Sequence, residues 1–156
     1  MVDASSIRIR PATDADLPAV LALYAQRDFD DGRVLALEDA RCMLALFANY
    51  PDYTLYVAEH DGAVVGSFAL LVMDNLGHLG APSAVVEDVV VALELQSAGI
   101  GRAMMAFARE LSGKKRCYKL ILSSNAKRSC AHGFYESLGF ERHGYSFRVD
   151  VVPVSP

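Results

Sequence analysis

This sequence predicts an α/β fold, one domain in which helices pack on a mixed sheet, and three observations lead there. Segments with the two-residue alternation of strands and segments with the helical i, i+3, i+4 recurrence follow one another in the order βαα, then βββ, then αβαβ. Three strands follow one another, the third rich in valine, and a short turn joins the first two, as in an antiparallel meander. The chain has 156 residues, the length of a single domain spanning 1–156, and a domain of that size buries roughly two-thirds of the surface its unfolded chain exposes.

Each element has a local reason. Ile7-Arg8-Ile9-Arg10 alternates apolar and polar residues and reads as a short strand. After Pro11, Thr13-Asp14-Ala15-Asp16 supplies an N-cap and an acidic first turn, and Leu17, Val20, Leu21 and Tyr24 then recur at helical spacing. Asp28 to Gly32 is an acidic loop, and a second helix is expected from Leu37 to Tyr50, stopped by Pro51. Tyr53 to Glu59, the turn His60-Asp61-Gly62, and Ala63 to Met73 read as a hairpin, with Ala84 to Val91 as the third strand of the meander. A glycine-containing turn leads to a helix from about Gly99 to Ser112. Ile100, Ala103, Met104, Phe107, Ala108 and Leu111 form its buried face, and Gly113 is the expected C-terminal cap. Tyr118 to Ser124 reads as a strand, about Ser129 to Leu138 as a helix, and Phe140 to Val151 as a final strand.

The bulk properties narrow the function classes. Net charge is −4, which argues against a dedicated nucleic-acid binder with its basic footprint. No apolar run approaches the roughly 20 residues of a membrane span. Met1 to Ser6 shows no basic stretch followed by an apolar one, so no signal peptide is expected. Cys42, Cys117 and Cys130 are too few and too scattered for a disulfide framework, and a reducing cytoplasm is the natural setting. No His/Cys/Asp spacing fits zinc, so no metal is expected, and His60 and His78 read as ordinary loop residues. The basic run Lys114-Lys115-Arg116 reads as a solvated helix end.

The turn Gln96-Ser97-Ala98-Gly99-Ile100-Gly101-Arg102 joins the valine-rich strand to the amphipathic helix. The first N–H groups of a helix have no partner within it. Glycine lets such a backbone approach a ligand closely, and the positive dipole end favours phosphate. Taken alone, the turn is equally consistent with a tight strand-to-helix connection. It lacks the third glycine of a dinucleotide fingerprint.

The neighbours of that turn decide the matter. Val86-Glu87-Asp88-Val89-Val90-Val91 precedes it, and Cys117-Tyr118-Lys119-Leu120-Ile121-Leu122 and Phe134-Tyr135-Glu136-Ser137-Leu138-Gly139-Phe140 follow. In this order and spacing, the set resembles the GNAT superfamily of acetyl-CoA-dependent N-acetyltransferases, and within it the glucosamine-6-phosphate N-acetyltransferases and their bacterial relatives. The resemblance implies a central mixed, mostly antiparallel sheet with helices on both faces. It implies that backbone groups of Val89, Val90 and Val91 pair with the pantetheine arm of acetyl-CoA. Gln96, Ser97, Ala98, Gly99, Ile100, Gly101 and Arg102 would cradle the pyrophosphate. Phe134 would pack beside pantetheine, and Tyr135 would stand near the thioester sulfur. Arg128 occupies a position where many members carry an asparagine that bonds pantetheine, and it can reach nucleotide phosphates instead.

The chemistry to be served is direct transfer of an acetyl group to a primary amine of a small molecule. The amine must lose a proton and the thioester must release a thiolate. Tyr135 is the candidate acid, because a phenol near pKa ~10 can protonate a thiolate. Glu87 and Asp88 are the candidate bases. In a regular strand they point to opposite faces, so only one faces the acceptor unless a bulge intervenes; Glu87 is favoured. A backbone N–H near Val89 or Val90 would polarise the carbonyl. Cys130 with His132 or His143 is a weaker, covalent possibility. The acidic loop Asp28-Phe29-Asp30-Asp31-Gly32-Arg33 is the expected acceptor region, with Phe29, Asp30 and Glu87 as substrate contacts. Its aspartates suit a cationic amine or polyamine. An amino-sugar phosphate needs a basic cluster, for which Arg27, Arg33 and Lys119 are available. Tyr145, Phe147 and Val149 in the final strand point to a homodimer. The alternatives are a CoA-binding regulatory domain without turnover and a protein or peptide N-acetyltransferase.

Overall fold

A computed structural model describes residues 6–151 as parts of two compact units, Met1–Leu122 and Ser123–Pro156. The first unit holds strands β1 (Ile7–Pro11), β2 (Tyr53–His60), β3 (Ala63–Met73), β4 (Ser83–Val91) and β5 (Lys119–Leu122), with helices α1 (Leu17–Tyr24), α2 (Leu37–Phe47) and α3 (Ile100–Lys114). The five strands form one sheet in sequence order. β1 to β4 pair antiparallel, and β5 joins β4 in parallel. The hairpin between β2 and β3 turns on Asp61 (φ 49°) and Gly62 (φ 77°), the two left-handed residues a tight hairpin needs.

Strand alternation sorts the core into two layers. Leu55, Val57 and Ala69 face α1 and pack against Val20, with Leu44, Phe47 and Tyr53 around them. Tyr56 and Phe68, one residue out of phase, face the other way. Their rings stack at 5.3 Å, and Phe107 of α3 closes on Tyr56 at 5.2 Å. Phe68 is fully buried, which is worth roughly 1.5–3 kcal/mol for such a side chain. Helices therefore cover both faces of a mixed, mostly antiparallel sheet.

α1 is entered through a capping box. Thr13 N–H and hydroxyl donate to Asp16 at 2.7 and 2.9 Å, and the same carboxylate accepts two bonds from Arg10 at 2.7 and 2.8 Å. The Arg10 guanidinium holds Asp16 well below the usual carboxylate range. Arg10 also donates to Glu59 at 3.0 Å, so the charged cluster ties β1, β2 and the start of α1 together.

α3 packs closely on the sheet. A methyl group placed on Gly66 of β3 would lie 2.8 Å from Met104 Sδ, 3.2 Å from the Val90 carbonyl oxygen and 3.3 Å from Ile100 Cγ2. Only glycine admits that approach. The helix passes through Gly113, contrary to the expected cap, and runs to Lys114. Arg116 takes the left-handed position instead (φ 59°). Its N–H donates to the Gly113 carbonyl, and the Cys117 N–H to the Ser112 carbonyl, each at 3.0 Å. That is a Schellman closure, which arginine can adopt at modest strain. α2 stops at Phe47, three residues short of the expected end, and a turn fills the space to β2.

The second unit contains α4 (Ser129–Ser137), closed by Gly139 at φ 85° and by the Phe140 N–H donating to the Tyr135 carbonyl at 3.1 Å. The final strand expected from Phe140 to Val151 is not formed: residues 140–151 carry no strand. Alternation of Tyr145, Phe147, Val149 and Val151 marks a face that would be covered, yet a strand also needs a backbone partner. Among the described residues this segment pairs with none, and these side chains are 81–93% exposed.

Candidate active site

The site is built around an irregularity in β4. Pairing with β3 runs Gly66↔Val91 and Ser67↔Val90, then resumes at Ala69↔Glu87. Phe68 thus faces two residues, Asp88 and Val89, which is a β-bulge, and Asp88 adopts φ 54° there. Glu87, paired with Ala69, takes the sheet face that looks toward α1 and α2. The bulge re-aims Asp88 toward the same side, where it lines a cavity. Two adjacent carboxylates, which a regular strand would send to opposite faces, consequently lie toward one face of the sheet, with Asp88 alone lining the cavity. Burial raises both above the ordinary carboxylate value; Asp88 adds to the rise of Glu87, and Asp30 to that of Asp88. Tyr53 is raised as well, by burial and then by Asp88 and Glu87.

The cavity measures about 640 Å³ and lies between α1, α2 and the sheet, within the range of small-molecule sites. α2 offers Met43, Leu44 and Phe47, and the α1–α2 connection offers Phe29, Asp30 and Arg33. That connection is held by its own backbone: the Asp30 N–H donates to the Tyr24 carbonyl and the Gly32 N–H to the Ala25 carbonyl, each at 3.0 Å. Phe29 stacks on Tyr24, centroids 4.7 Å apart and rings within 6° of parallel. Burial, with Asp88 next, pushes the Tyr24 phenol up to about 12. Of the expected acceptor loop, Phe29, Asp30 and Arg33 come together here, joined by Asp88, expected as a candidate base and not as a substrate contact. Glu87 is not among the lining residues, and neither are Asp28, Asp31, Arg27 or Lys119. Tyr24 and the apolar face of α2 had no distinguishing signal in the sequence, because their spacing is that of any core helix.

The opposite side of β4 has a different character. β5 pairs with β4 only from Ser83↔Lys119 to Val86↔Leu122. Beyond Val86, the β5-side edge of β4 has no strand partner among the described residues, and Val89–Val91 lie along it. Gln26 Nε2, which donates to the Leu23 carbonyl at 2.8 Å, also reaches the Val91 carbonyl at 3.4 Å and tethers the end of the strand to α1. The turn that follows carries two left-handed residues, Ser97 (φ 64°) and Gly99 (φ 103°). Gly99 is the N-cap of α3, and a Cβ there would meet nothing within 4 Å. Glycine is required by conformation and not by crowding, and the space before the helix is open. The first-turn amides of Ile100, Gly101 and Arg102 have no intrahelical acceptor. An extended arm bearing amides can pair with the strand edge, and a phosphate can sit at the helix start.

A family comparison gives this arrangement its context. The Acetyltransferase (GNAT) domain family matches residues 51–142, more than half of the chain. The chain belongs to the GNAT acetyltransferase family. Membership implies acetyl-CoA as the acetyl donor. Similar proteins include a glucosamine 6-phosphate N-acetyltransferase of Trypanosoma brucei brucei, 38% identical over 97 residues, which is 62% of this chain and 64% of that protein. An aminoalkylphosphonate N-acetyltransferase of Salmonella typhimurium is 26% identical over 147 residues, 89% of this chain and 88% of that one. A solved structure from Agrobacterium tumefaciens strain C58 superposes with a TM-score of 0.85 at 30% identity, covering 92% of this chain and 99% of the other.

In this GNAT chain the matched region contains β2 to β5, α3 and α4, whereas α1 and α2 lie before it. Most of the cavity wall thus comes from residues outside the family match. The remaining predicted site residues belong to the second unit. Tyr135 is half-buried on α4; burial raises its phenol, and Arg128 opposes the rise. Phe134 is half-buried beside it, ring centroids 5.1 Å apart, and Arg128 is exposed at the N-cap of α4. Cys130 is exposed, and His132 Nε2 sits 2.9 Å from the Asn125 carbonyl oxygen, a loop contact. No helix among the described residues is long and apolar enough to cross a membrane.

Proposed function

We propose that this chain transfers the acetyl group of acetyl-CoA to a primary amine of a small molecule by direct attack of the amine on the thioester carbonyl. One observation carries the reading: a single strand, β4, has at Val89–Val91 an edge without a strand partner among the described residues, and its face toward α1 and α2 meets a cavity bearing Asp88. Donor and acceptor then meet across the bulge.

The residues divide the work. Val89, Val90 and Val91 pair with the pantetheine arm, and the turn from Gln96 to Arg102 holds the pyrophosphate. Arg128 and Phe134 add a cation and an apolar contact to the donor. Asp88 takes a proton from the bound ammonium, which frees the nitrogen lone pair for attack, and Glu87 shares its field. The cavity wall brings Asp88 forward as base, although the sequence favours Glu87. A backbone N–H at Val89 or Val90 polarises the acetyl oxygen. Tyr135 donates a hydrogen bond to the sulfur as the carbon–sulfur bond breaks. Its raised pKa keeps it protonated through neutral pH and suits hydrogen-bond donation better than complete proton transfer.

The two named relatives support a small-molecule acceptor, since both are named for small amines that carry a phosphorus acid. The test is thiol release from acetyl-CoA against an amine panel. Amine-dependent release is expected; tight acetyl-CoA binding with no amine-dependent release would overturn the enzyme reading. We further propose a homodimer, supported by the exposed alternating run Tyr145, Phe147, Val149 and Val151. Sedimentation should give twice the chain mass, and a Tyr145→Ser/Phe147→Ser chain should sediment as a monomer.

A further inference from the structure

Resting on that reading, we infer that the acceptor is a primary monoamine with an apolar, ring-bearing body, and not an amino-sugar phosphate or a polyamine. The wall chemistry leads there. Apart from the Tyr24 hydroxyl, the polar side chains lining the cavity are Asp30, Arg33 and Asp88; every other lining residue is apolar. Two carboxylates against one guanidinium leave the space negative. A monocation gains from that field, while a phosphate dianion is repelled and finds one arginine where it needs a cluster.

The hydroxyls of a sugar fare no better. The Ser67 hydroxyl beneath Tyr24 is already committed to the Tyr56 carbonyl at 3.1 Å, and α2 presents Met43, Leu44 and Phe47. Hydroxyls placed against that wall lose water without gaining partners. A hydrocarbon or aromatic body gains from the same contact, and the parallel Tyr24–Phe29 pair offers it a flat surface. A polyamine carries further charges that must also be met. The acidic loop holds three aspartates, but only Asp30 reaches the cavity; Asp28 and Asp31 do not line it. The position of the amine follows from the two carboxylates: Asp30 raises Asp88 electrostatically, so a cation between them relieves a standing repulsion.

The experiment compares 2-phenylethylamine, spermidine and glucosamine 6-phosphate as acceptors with the intact protein and saturating acetyl-CoA. The expected kcat/KM for 2-phenylethylamine exceeds each of the others at least tenfold. Met43, half exposed, tolerates replacement; Met43→Lys should raise the KM for 2-phenylethylamine at least fivefold and lower that for glucosamine 6-phosphate. If glucosamine 6-phosphate or spermidine is the best acceptor, this inference falls while the acetyltransferase reading stands. If no amine releases thiol, that reading falls. Calorimetric binding of 2-phenylethylamine, abolished by Met43→Lys, still decides the cavity chemistry, and failure to bind overturns the inference.

Discussion

Replacing Gly66 by alanine should damage both stability and donor binding, and the structure supplies the size of the effect. The added methyl would sit 2.8 Å from Met104 Sδ, well inside the roughly 3.5–4.0 Å of optimal non-bonded contact. Met104 is 0% exposed and Ile100 1%, so neither side chain has free volume to enter. The Val90 carbonyl at 3.2 Å is backbone, and it belongs to the strand whose other edge is proposed to hold pantetheine. Overpacking of this kind costs about 1–3 kcal/mol, while alanine recovers roughly 0.5–1 kcal/mol relative to glycine within a strand. The net loss is then about 0.5–2 kcal/mol, which lowers Tm by about 1–8 °C in a chain of this length. Because the start of α3 and the end of β4 are displaced together, the KM for acetyl-CoA should rise as well. Thermal melting and initial rates read the two effects. An unchanged or higher Tm with an unchanged KM would refute the claim that α3 needs this close approach.

Three more outcomes test the site. Asp88→Asn should lower kcat/KM by about 10²–10⁴-fold, the usual span for a general base. A base works deprotonated, so activity falls as pH drops through its raised pKa; Asp30→Asn, which removes a carboxylate that raises Asp88, should move that limb to lower pH. Glu87→Gln should keep the limb and move it only to lower pH, because the two neighbouring carboxylates repel each other; a limb lost in Glu87→Gln and kept in Asp88→Asn would make Glu87 the base. Tyr135→Phe should reduce kcat at least tenfold with little change in the KM for acetyl-CoA, and full turnover would remove Tyr135 from the chemistry. Gly99→Ala forces a side chain into φ 103° with open space around it, so the cost is conformational, about 1–2 kcal/mol, and calorimetry should show weaker acetyl-CoA binding if that turn holds the pyrophosphate.

Elements whose signal is local were legible from residues alone. The Asp61-Gly62 hairpin, the capping box at Thr13 and Asp16, and the apolar stripe of α3 each report themselves within a few positions of sequence. The C-terminal run from Phe140 to Val151 did not, because alternation specifies a face to be covered and says nothing about a backbone partner. The end of α3 misled for a related reason: Gly113 is the usual signature of a cap, but Arg116 supplies the left-handed turn. The importance of Gly66 was invisible, since only the packing of α3 on β3 makes it necessary. At the proposed site, the composition of their loop drew attention to Phe29 and Asp30, which line the cavity. Tyr24 and Phe47 were hidden by a periodicity that any buried helix shares.

The carboxylate pair shows why such a site resists reading from pattern. Alternation sends Glu87 and Asp88 to opposite faces, and on that basis one must be idle. A single extra residue in β4 defeats the rule, because Phe68 is met by both Asp88 and Val89. The exposed edge of β4 has a separate origin: pairing with β5 stops at Val86 because β5 ends at its partner, Leu122. The irregularity that re-aims Asp88 and the short partner strand that leaves Val89–Val91 without a strand neighbour among the described residues are thus independent features of one strand. The edge proposed to hold the donor lies inside the family-matched segment, while the cavity wall proposed to select the amine comes mainly from α1, α2 and the loop between them, which precede it. Changes to Phe29, Met43 or Phe47 should therefore alter which amine is used without disturbing the strand that holds the donor.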